Sequence, residues 1–203
     1  MTDVPPDMPP TAPGEATQPA ASASRAVRSA IEWVVIIAGA LIVALVVRTF
    51  LIQPFYIPSA SMEPELEIHD RVLVNKLSYH LHDIHRGDIV VFERPKCEGG
   101  EPAVKDLIKR VIGLPGEQVQ GQGGAVYIDG RRLEEPYLPA GTTTSDFGPV
   151  TVPAHHIWVM GDNRSNSKDS RFLCDNGPTF IARGEVVGRA FVRVWPPSRL
   201  GGL

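Results

Sequence analysis

Residues 104–119 read VKDLIKRVIGLPGEQV, and their apolar side chains alternate as they do in a β-strand. On this alternation Lys109 shares one face of the strand with Leu107 and Val111, whereas Ile108 and Arg110 point to the other face. Similar strand-like patches recur through residues 53–203: RVLVNKL (71–77), GDIVVFE (87–93), AVYIDG (125–130), HIWVMGD (156–162) and VVGRAFVRVW (186–195). We therefore predict a mainly β domain, in which short strands pair across loops.

Turn residues support this class. The chain of 203 residues contains 19 glycines and 19 prolines, which favours many turns and short strands over long helices. In YIDGRRL the Asp129-Gly130 pair predicts a tight hairpin turn.

Composition also excludes several functional classes. The net charge of −3 provides no strongly basic field for nucleic acid. The two cysteines, Cys97 and Cys174, form no C-x-x-C pair, and the sequence contains no glycine-rich phosphate loop. We predict no nucleic-acid partner.

The N-terminal quarter differs from the rest of the chain. Residues 1–28 begin with a Pro-, Ala-, Ser- and Thr-rich stretch that has too little apolar surface to offset the entropy of ordering, and we predict a disordered cytoplasmic tail. Residues 29–52 are apolar on all sides and long enough to span a bilayer as an uncleaved anchor helix. Arg25 and Arg28 before the span outnumber Arg48 at its far end, which predicts a cytoplasmic N-terminus. Residues 53–203 are then the extracytoplasmic working domain.

Two serines follow the anchor in FYIPSASMEP (55–64), and Ser61 requires a base if it is to act as a nucleophile. The histidines in YHLHDIHRGD (79–88) lack a metal-binding spacing, and we interpret this segment as a polar loop between strands. Lys109 is the better candidate base, since its neighbours on the same strand face are apolar. At the ordinary lysine pKa of about 10.4, about one amine in 2,500 is neutral at pH 7. Burial lowers the pKa of a lysine, and at a pKa of about 7–8 roughly 10–50% of the amines are neutral and able to accept a proton.

Four blocks in this order resemble the bacterial type I signal peptidases, which are membrane-anchored Ser/Lys endopeptidases. They are IPSASMEPEL (57–66), RGDIVVFERP (86–95), LIKRVIGLPGE (107–117) and, as the closing block, GDNRSNSKDSR (161–171) with VVGRA (186–190). Together with the span they cover most of residues 30–195. The resemblance implies a catalytic domain with two antiparallel sheet regions and a site near the membrane surface.

The resemblance also implies roles for individual residues. Ser61 matches the acylating nucleophile and Lys109 its general base. Ser167 matches the hydroxyl that orients the lysine, and Ser59 matches the hydroxyl that assists the Ser61 backbone N–H in stabilising the oxyanion. Four charged residues match structural positions around the site: Arg110, Asp162, Asp169 and Arg171.

The substrates implied are exported preproteins that are cut after a small-x-small motif, and the peptide would add a strand to a sheet edge. We expect Ile57 and Pro58 to form walls of the substrate pocket. The implied partners are these preproteins, the lipid bilayer and the secretion translocon, and no cofactor or metal is expected. Only about nine residues separate Ile52 from Ser61, so the nucleophile is expected within about 30 Å of the end of the span.

Three other readings are possible, and two of them predict features that this sequence lacks. A non-catalytic binding or chaperone module would be expected to lack Ser61 or Lys109, and both are present. A self-cleaving repressor would carry a DNA-binding domain ahead of the serine, where this chain has an apolar span. A processing peptidase with one dedicated substrate would share all these features. For Cys97 and Cys174, a disulfide and two free thiols are both compatible with the sequence.

Overall fold

The computed structural model describes residues 20–46, 51–97, 105–174 and 177–203. Within these ranges the chain forms one long helix, one short helix and twelve strands. The helices are α1 (Ala20–Val46) and α2 (Ser78–Leu81). The strands are β1 (Ile52–Tyr56), β2 (Arg71–Asn75), β3 (Ile89–Glu93), β4 (Asp106–Gly113), β5 (Gln118–Gln122), β6 (Ala125–Ile128), β7 (Arg131–Arg132), β8 (Phe147–Thr151), β9 (His156–Met160), β10 (Ile181–Ala182), β11 (Val186–Trp195) and β12 (Gly201–Gly202).

Helix α1 is apolar and exposed. Its segment Arg28–Leu45 is long and apolar enough to cross a membrane, and none of that segment is buried in the protein. An apolar segment whose described side chains are exposed suits a lipid environment, which agrees with the predicted anchor. The chain divides into two compact units between Leu45 and Val46, at the C-terminal end of the helix, and the second unit contains all the strands.

The helix boundaries differ from the predicted ones. The predicted tail (1–28) and anchor (29–52) meet inside α1, because the alanine-rich stretch from Ala20 onward is helical. At the other end Ile52 is already in β1, where it pairs with Asn75, so it belongs to the β domain. The first 19 residues of the predicted tail lie outside the described residues.

The described strands form two antiparallel sheets, which confirms the predicted fold class. The larger sheet has eight strands in the order β1-β2-β11-β3-β4-β9-β10, with β12 paired to β11. The smaller has four strands in the order β7-β6-β5-β8. The predicted hairpin is present, and both turn residues adopt the positive φ that a two-residue turn requires, at 50° for Asp129 and 75° for Gly130.

Strand β4 is central to the larger sheet. Its Ile108 packs in one apolar cluster, which contains Ile57 and Met62, and its Val111 packs in a second. Leu107 also packs against the second cluster, so the apolar side chains of β4 alternate between two faces as predicted. A third cluster, around the fully buried Trp158, joins the two sheets.

The two cysteines form a disulfide. Cys97 and Cys174 are bonded, with their Cα atoms 5.5 Å apart and 77 residues apart in sequence. Of the two alternatives that the sequence leaves open, the structure thus has the bridge. It connects the segment after β3 to the loop that follows the GDNRSNSKDSR block.

Candidate active site

The Ser61 turn is held between buried apolar side chains. After β1 the chain runs through Ile57, which is 1% exposed, into a short 3₁₀ turn at Ala60–Met62. The backbone of Ile57 donates to Asp70 and accepts from His69, which ties this segment to the start of β2. Met62 is fully buried below the turn. Packing on both sides of Ser61 therefore restricts the position of its hydroxyl.

The predicted base reaches the predicted nucleophile. Lys109, on β4, points its amine at Ser61, with 2.7 Å between Nζ and Oγ. The amine also donates to the Ile108 carbonyl oxygen at 2.9 Å. Lys109 is 4% exposed and Ser61 is 8% exposed. A hydroxyl and an amine in direct contact, both withdrawn from water, form a nucleophile–base pair in geometry.

Ser59 and Ser167 flank this pair. Ser59 Oγ lies 3.4 Å from Ser61 Oγ. Ser167 lies near the Ser61 backbone, since a Cβ added at Gly161 would overlap both the Ser167 side chain and the Ser61 carbonyl oxygen. The Ser167 hydroxyl is buried and forms no hydrogen bond with the described residues, so its predicted contact with the Lys109 amine is not formed here. Its orienting role stays a prediction.

The four predicted charged residues form two buried ion pairs. The Arg110 guanidinium donates two hydrogen bonds to the Asp162 carboxylate, of 2.9 and 2.7 Å. Arg171 binds Asp169 in the same bidentate manner, at 2.8 Å for each bond. Asp169 also accepts from the Gly161 backbone N–H. These pairs shape the loop at 161–171, and none of the four residues lines the cleft in front of Ser61.

Electrostatics keep the Arg110 pair ionised. Burial alone would lower the pKa of Arg110, but the hydrogen bonds and the charge of Asp162 outweigh it and raise the pKa above its ordinary value. The guanidinium also lies 4.0 Å from the centre of the Tyr137 ring, which favours the cation.

Three further residues that support these ion pairs were not predicted from the sequence. Glu135 pairs with Arg164 through both carboxylate oxygens, and the Tyr137 hydroxyl donates to Glu135 at 2.7 Å. Burial, and then the neighbouring Glu135 charge, raise the pKa of Tyr137, so this hydroxyl remains a donor at physiological pH. The segment EPYL (135–138) carries no periodic signal, so nothing local indicated that it would cover the two arginines.

A cleft of about 410 Å³ opens in front of the pair. Both predicted wall residues, Ile57 and Pro58, line it together with Ser59, Ser61 and Lys109. Asp106, Leu107 and Ile108 of β4 also line the cleft. No histidine is found among the cleft-lining residues that the structure describes.

One edge of β4 is open at this cleft. Residues 106–110 pair with β3 on one side, whereas β9 pairs only from Arg110 onward on the other. The backbone of 106–109 therefore has an edge without a partner strand within the described part of the chain. Such an edge accepts an extended peptide as an added strand.

The described residues offer no set of side chains that would bind a metal ion. No group of three or more His, Cys, Asp or Glu side chains there is arranged to hold an ion.

Several known proteins are similar in sequence to this chain over most of its length. A family model described as "Signal peptidase, peptidase S26" matches residues 30–195. Signal peptidase I of Leptolyngbya laminosa is 44% identical over 196 residues, covering 96% of this chain and 94% of the relative. Signal peptidase I T of Bacillus subtilis (strain 168) is 38% identical over 176 residues, covering 82% of this chain and 86% of the relative. A crystal structure of a signal peptidase I from Enterococcus faecalis V583 is 31% identical, with a TM-score of 0.42, and covers 53% of this chain and 97% of that one. The length of the family match, together with the identity to curated relatives, places this chain in the signal peptidase family, peptidase S26.

Proposed function

We propose that this protein is a membrane-anchored serine endopeptidase that removes signal peptides from exported preproteins by a Ser/Lys mechanism. Membership of the family supports the reaction and the substrate class. The observation that carries the mechanism is the 2.7 Å contact between Lys109 Nζ and Ser61 Oγ, made by two side chains that are almost fully buried.

In this mechanism Lys109 is the general base. Burial disfavours the ammonium relative to the neutral amine, which has a lone pair to accept the Ser61 proton. Ser61 Oγ then attacks the scissile carbonyl carbon, and the carbonyl electron pair moves onto its oxygen. As the tetrahedral intermediate collapses, the Lys109 ammonium returns the proton to the departing amine, which leaves an acyl-enzyme on Ser61. Water then takes the place of the departed amine. Lys109 accepts a proton from the water, the water oxygen attacks the acyl carbon, and the Lys109 ammonium returns the proton to Ser61 Oγ as the acyl group leaves.

The oxyanion requires donors directed at the position where its charge develops. The Ser61 backbone N–H and the Ser59 hydroxyl are the proposed pair, and the distance of 3.4 Å between the two serine hydroxyls supports this role for Ser59. Ser167 is the proposed orienting residue for Lys109, and its buried hydroxyl next to the Ser61 backbone supports a role at this site.

The cleft supports an extended substrate. A peptide paired with the open edge of β4 at 106–109 would pass between that edge and the segment at 57–59. Alternate side chains of a strand point to one side, so two small residues separated by one would face Ile57 and Pro58. This arrangement accounts for a small-x-small cleavage motif.

Helix α1 is the proposed membrane anchor, with the chain before it cytoplasmic and the β domain, which includes Ile52, outside the membrane. The charge bias of Arg25 and Arg28 over Arg48 supports this orientation. An anchored peptidase on that side of the membrane would meet preproteins as they leave the secretion translocon.

The test is cleavage of a preprotein with an Ala-x-Ala motif by the full-length protein in detergent. The wild type is expected to release the mature protein, with its new N-terminus directly after the motif, and Ser61→Ala is expected to release none while unfolding at the wild-type temperature. Ser198→Ala, at an exposed serine outside the cleft, is the matched control and should cleave normally. Cleavage by Ser61→Ala would refute the mechanism. Failure of the wild type on several Ala-x-Ala preproteins would point instead to a dedicated substrate or a non-catalytic module.

A further inference from the structure

Asn163 is bonded to the turn that carries the nucleophile. Its backbone N–H donates to the Ser61 carbonyl oxygen at 3.2 Å, and its side-chain Nδ2 donates to the Ala60 carbonyl oxygen at 3.1 Å. One residue, 102 and 103 positions further along the chain, thus donates to two successive carbonyl groups of the Ser61 turn. The Ala60 oxygen also accepts from the Glu63 backbone N–H at 3.2 Å within the turn, so Asn163 supplies the second of its two hydrogen bonds and the one that comes from outside the turn. Asn163 is not one of the residues that act in the proposed Ser61/Lys109 mechanism.

The Ala60 carbonyl has a direct link to the oxyanion donor. The C=O of Ala60 and the N–H of Ser61 belong to the same peptide unit, which is planar and trans, so the two groups point in opposite directions. A hydrogen bond that fixes the direction of the carbonyl therefore fixes the direction of the Ser61 N–H as well. It also polarises that N–H, since hydrogen bonds in series strengthen one another.

The two sides of this peptide unit face different cavities. Asn163 lies in a small pocket with Glu63, Pro64 and Thr143, and it does not line the substrate cleft. Ala60 and Ser61 do line the cleft. Because the carbonyl points toward Asn163, the N–H on the opposite side of the unit points away from it.

The amide of Asn163 is itself held in place. The Ser165 hydroxyl donates to Asn163 Oδ1 at 3.3 Å, which leaves Nδ2 directed at Ala60. On the N-terminal side Gly161 is fixed by Asp169, and on the C-terminal side Arg164 is buried against Glu135. The loop thus presents a rigid donor to the nucleophile turn.

We propose that Asn163 is a positioning residue that holds the Ala60–Ser61 peptide unit so that the Ser61 N–H faces the oxyanion. This inference rests on the proposed Ser61 mechanism. It assigns Asn163 no contact with substrate and no transfer of protons. Its effect is confined to states in which negative charge develops on the substrate oxygen, so it stabilises the transition state and contributes little to substrate binding.

The experiment compares the wild type with Asn163→Ala and Asn163→Asp in the preprotein assay, measuring kcat, KM and inhibition by a peptide aldehyde that ends in Ala-x-Ala. Ser61 Oγ adds to the aldehyde carbon, and the resulting oxygen occupies the oxyanion position. Losing a net hydrogen bond that acts through one peptide unit should reduce kcat about fivefold to tenfold, with KM within about twofold. Aldehyde inhibition should weaken by about the same fivefold to tenfold factor, because it depends on the same donor.

Asn163→Asp separates donor loss from volume loss. Aspartate has the shape of asparagine, but its carboxylate cannot donate to the Ala60 oxygen, so we expect a loss at least as large as that of Asn163→Ala. Thr143→Ala, in the same small pocket, is the matched control and should leave kcat and aldehyde inhibition unchanged.

A wild-type kcat and wild-type aldehyde inhibition in Asn163→Asp would overturn the proposal. So would a loss confined to KM or to the unfolding temperature, with aldehyde inhibition intact, since that pattern denotes a purely structural residue. Ser61→Ala in the same assay distinguishes a failure of this inference from a failure of the proposed function. If it is inactive while Asn163→Asp is fully active, the proposed function stands and only this inference fails.

Discussion

The Lys109 amine lies 2.7 Å from the Ser61 hydroxyl, although the two residues are 48 positions apart in the chain. Ser61 is at the end of the segment that follows β1, and Lys109 is in β4 beside the open strand edge. Both side chains are buried, so the pair is shielded from bulk water on the side of the core. In the proposed reaction a base must accept a proton at pH 7, and a solvated lysine seldom does so.

Lys109 should be irreplaceable by another cation. We expect Lys109→Ala and Lys109→Arg each to lower kcat about a thousandfold or more, because arginine stays protonated and cannot accept the Ser61 proton. Preprotein cleavage measured with the purified variants checks this. Comparable activity in Lys109→Arg and the wild type would exclude Lys109 as the base. For the wild type, we expect activity to fall as the pH is lowered, because protonation removes the lone pair of the amine.

Gly161 should not tolerate a side chain. A Cβ at this position would overlap the Ser167 side chain and the Ser61 carbonyl oxygen, and the latter is backbone that has little freedom to shift. We expect Gly161→Ala to reduce kcat at least about tenfold and to lower the unfolding temperature, since overpacking costs about 1–3 kcal/mol. Gly184→Ala is the control, because a Cβ there meets no atom within 4 Å. An active, fully stable Gly161→Ala would contradict the close packing of these two loops.

The carboxyl group of Asp106 should oppose folding at neutral pH. Burial raises the pKa of Asp106 in the folded protein, with a smaller contribution from the Glu93 charge, and this outweighs the neighbouring Lys105 charge, which acts in the opposite direction. When the folded-state pKa is the higher one, the folded protein loses stability as the pH rises from the unfolded pKa through the folded pKa. We therefore expect Asp106→Asn to raise the unfolding temperature at pH 7, with the gain shrinking below about pH 4, where the unfolded chain also protonates this group. Thermal unfolding of both proteins across this range measures the effect, and a gain that grows toward low pH would have the wrong sign.

The disulfide should contribute to stability. Cys97 and Cys174 are 77 residues apart, and closing a loop of that length stabilises the folded protein by up to about 4.5 kcal/mol in the entropic model, because it restricts the unfolded chain. We expect the double variant Cys97→Ser/Cys174→Ser to unfold at a lower temperature than the wild type. Dithiothreitol should lower the wild-type unfolding temperature toward that of the variant and should leave the variant unchanged. Equal stability with and without the reductant would show that the bridge contributes nothing in solution.

Some elements of the fold follow from local sequence because their physical cause is local. The Asp129-Gly130 turn forms because both residues tolerate positive φ, and β4 forms because its alternating side chains have a core on each face. The order of strands in the larger sheet has no such local cause. Strand β11 lies between β2 and β3, and its own sequence does not predict that it pairs with those two strands.

The helix boundaries show the same division. Apolar composition predicts an anchor, and helix α1 is present with an exposed apolar surface. Ile52 is as apolar as the residues of the helix, yet it lies in β1, because its backbone pairs with Asn75. Composition does not distinguish a residue that faces lipid from one that pairs in a sheet.

By itself, the sequence determined the types of chemical group available: a serine in a turn, a lysine on an apolar strand, and arginines and aspartates near the end of the chain. Only the tertiary structure decided which of them meet. It placed Lys109 against Ser61, left the Ser167 hydroxyl without a partner among the described residues, and brought Glu135, Tyr137 and Asn163 to the site. The physical reason is that such contacts depend on strand pairing and core packing between segments distant in the chain, whereas periodicity and turn preferences act over only a few neighbouring residues.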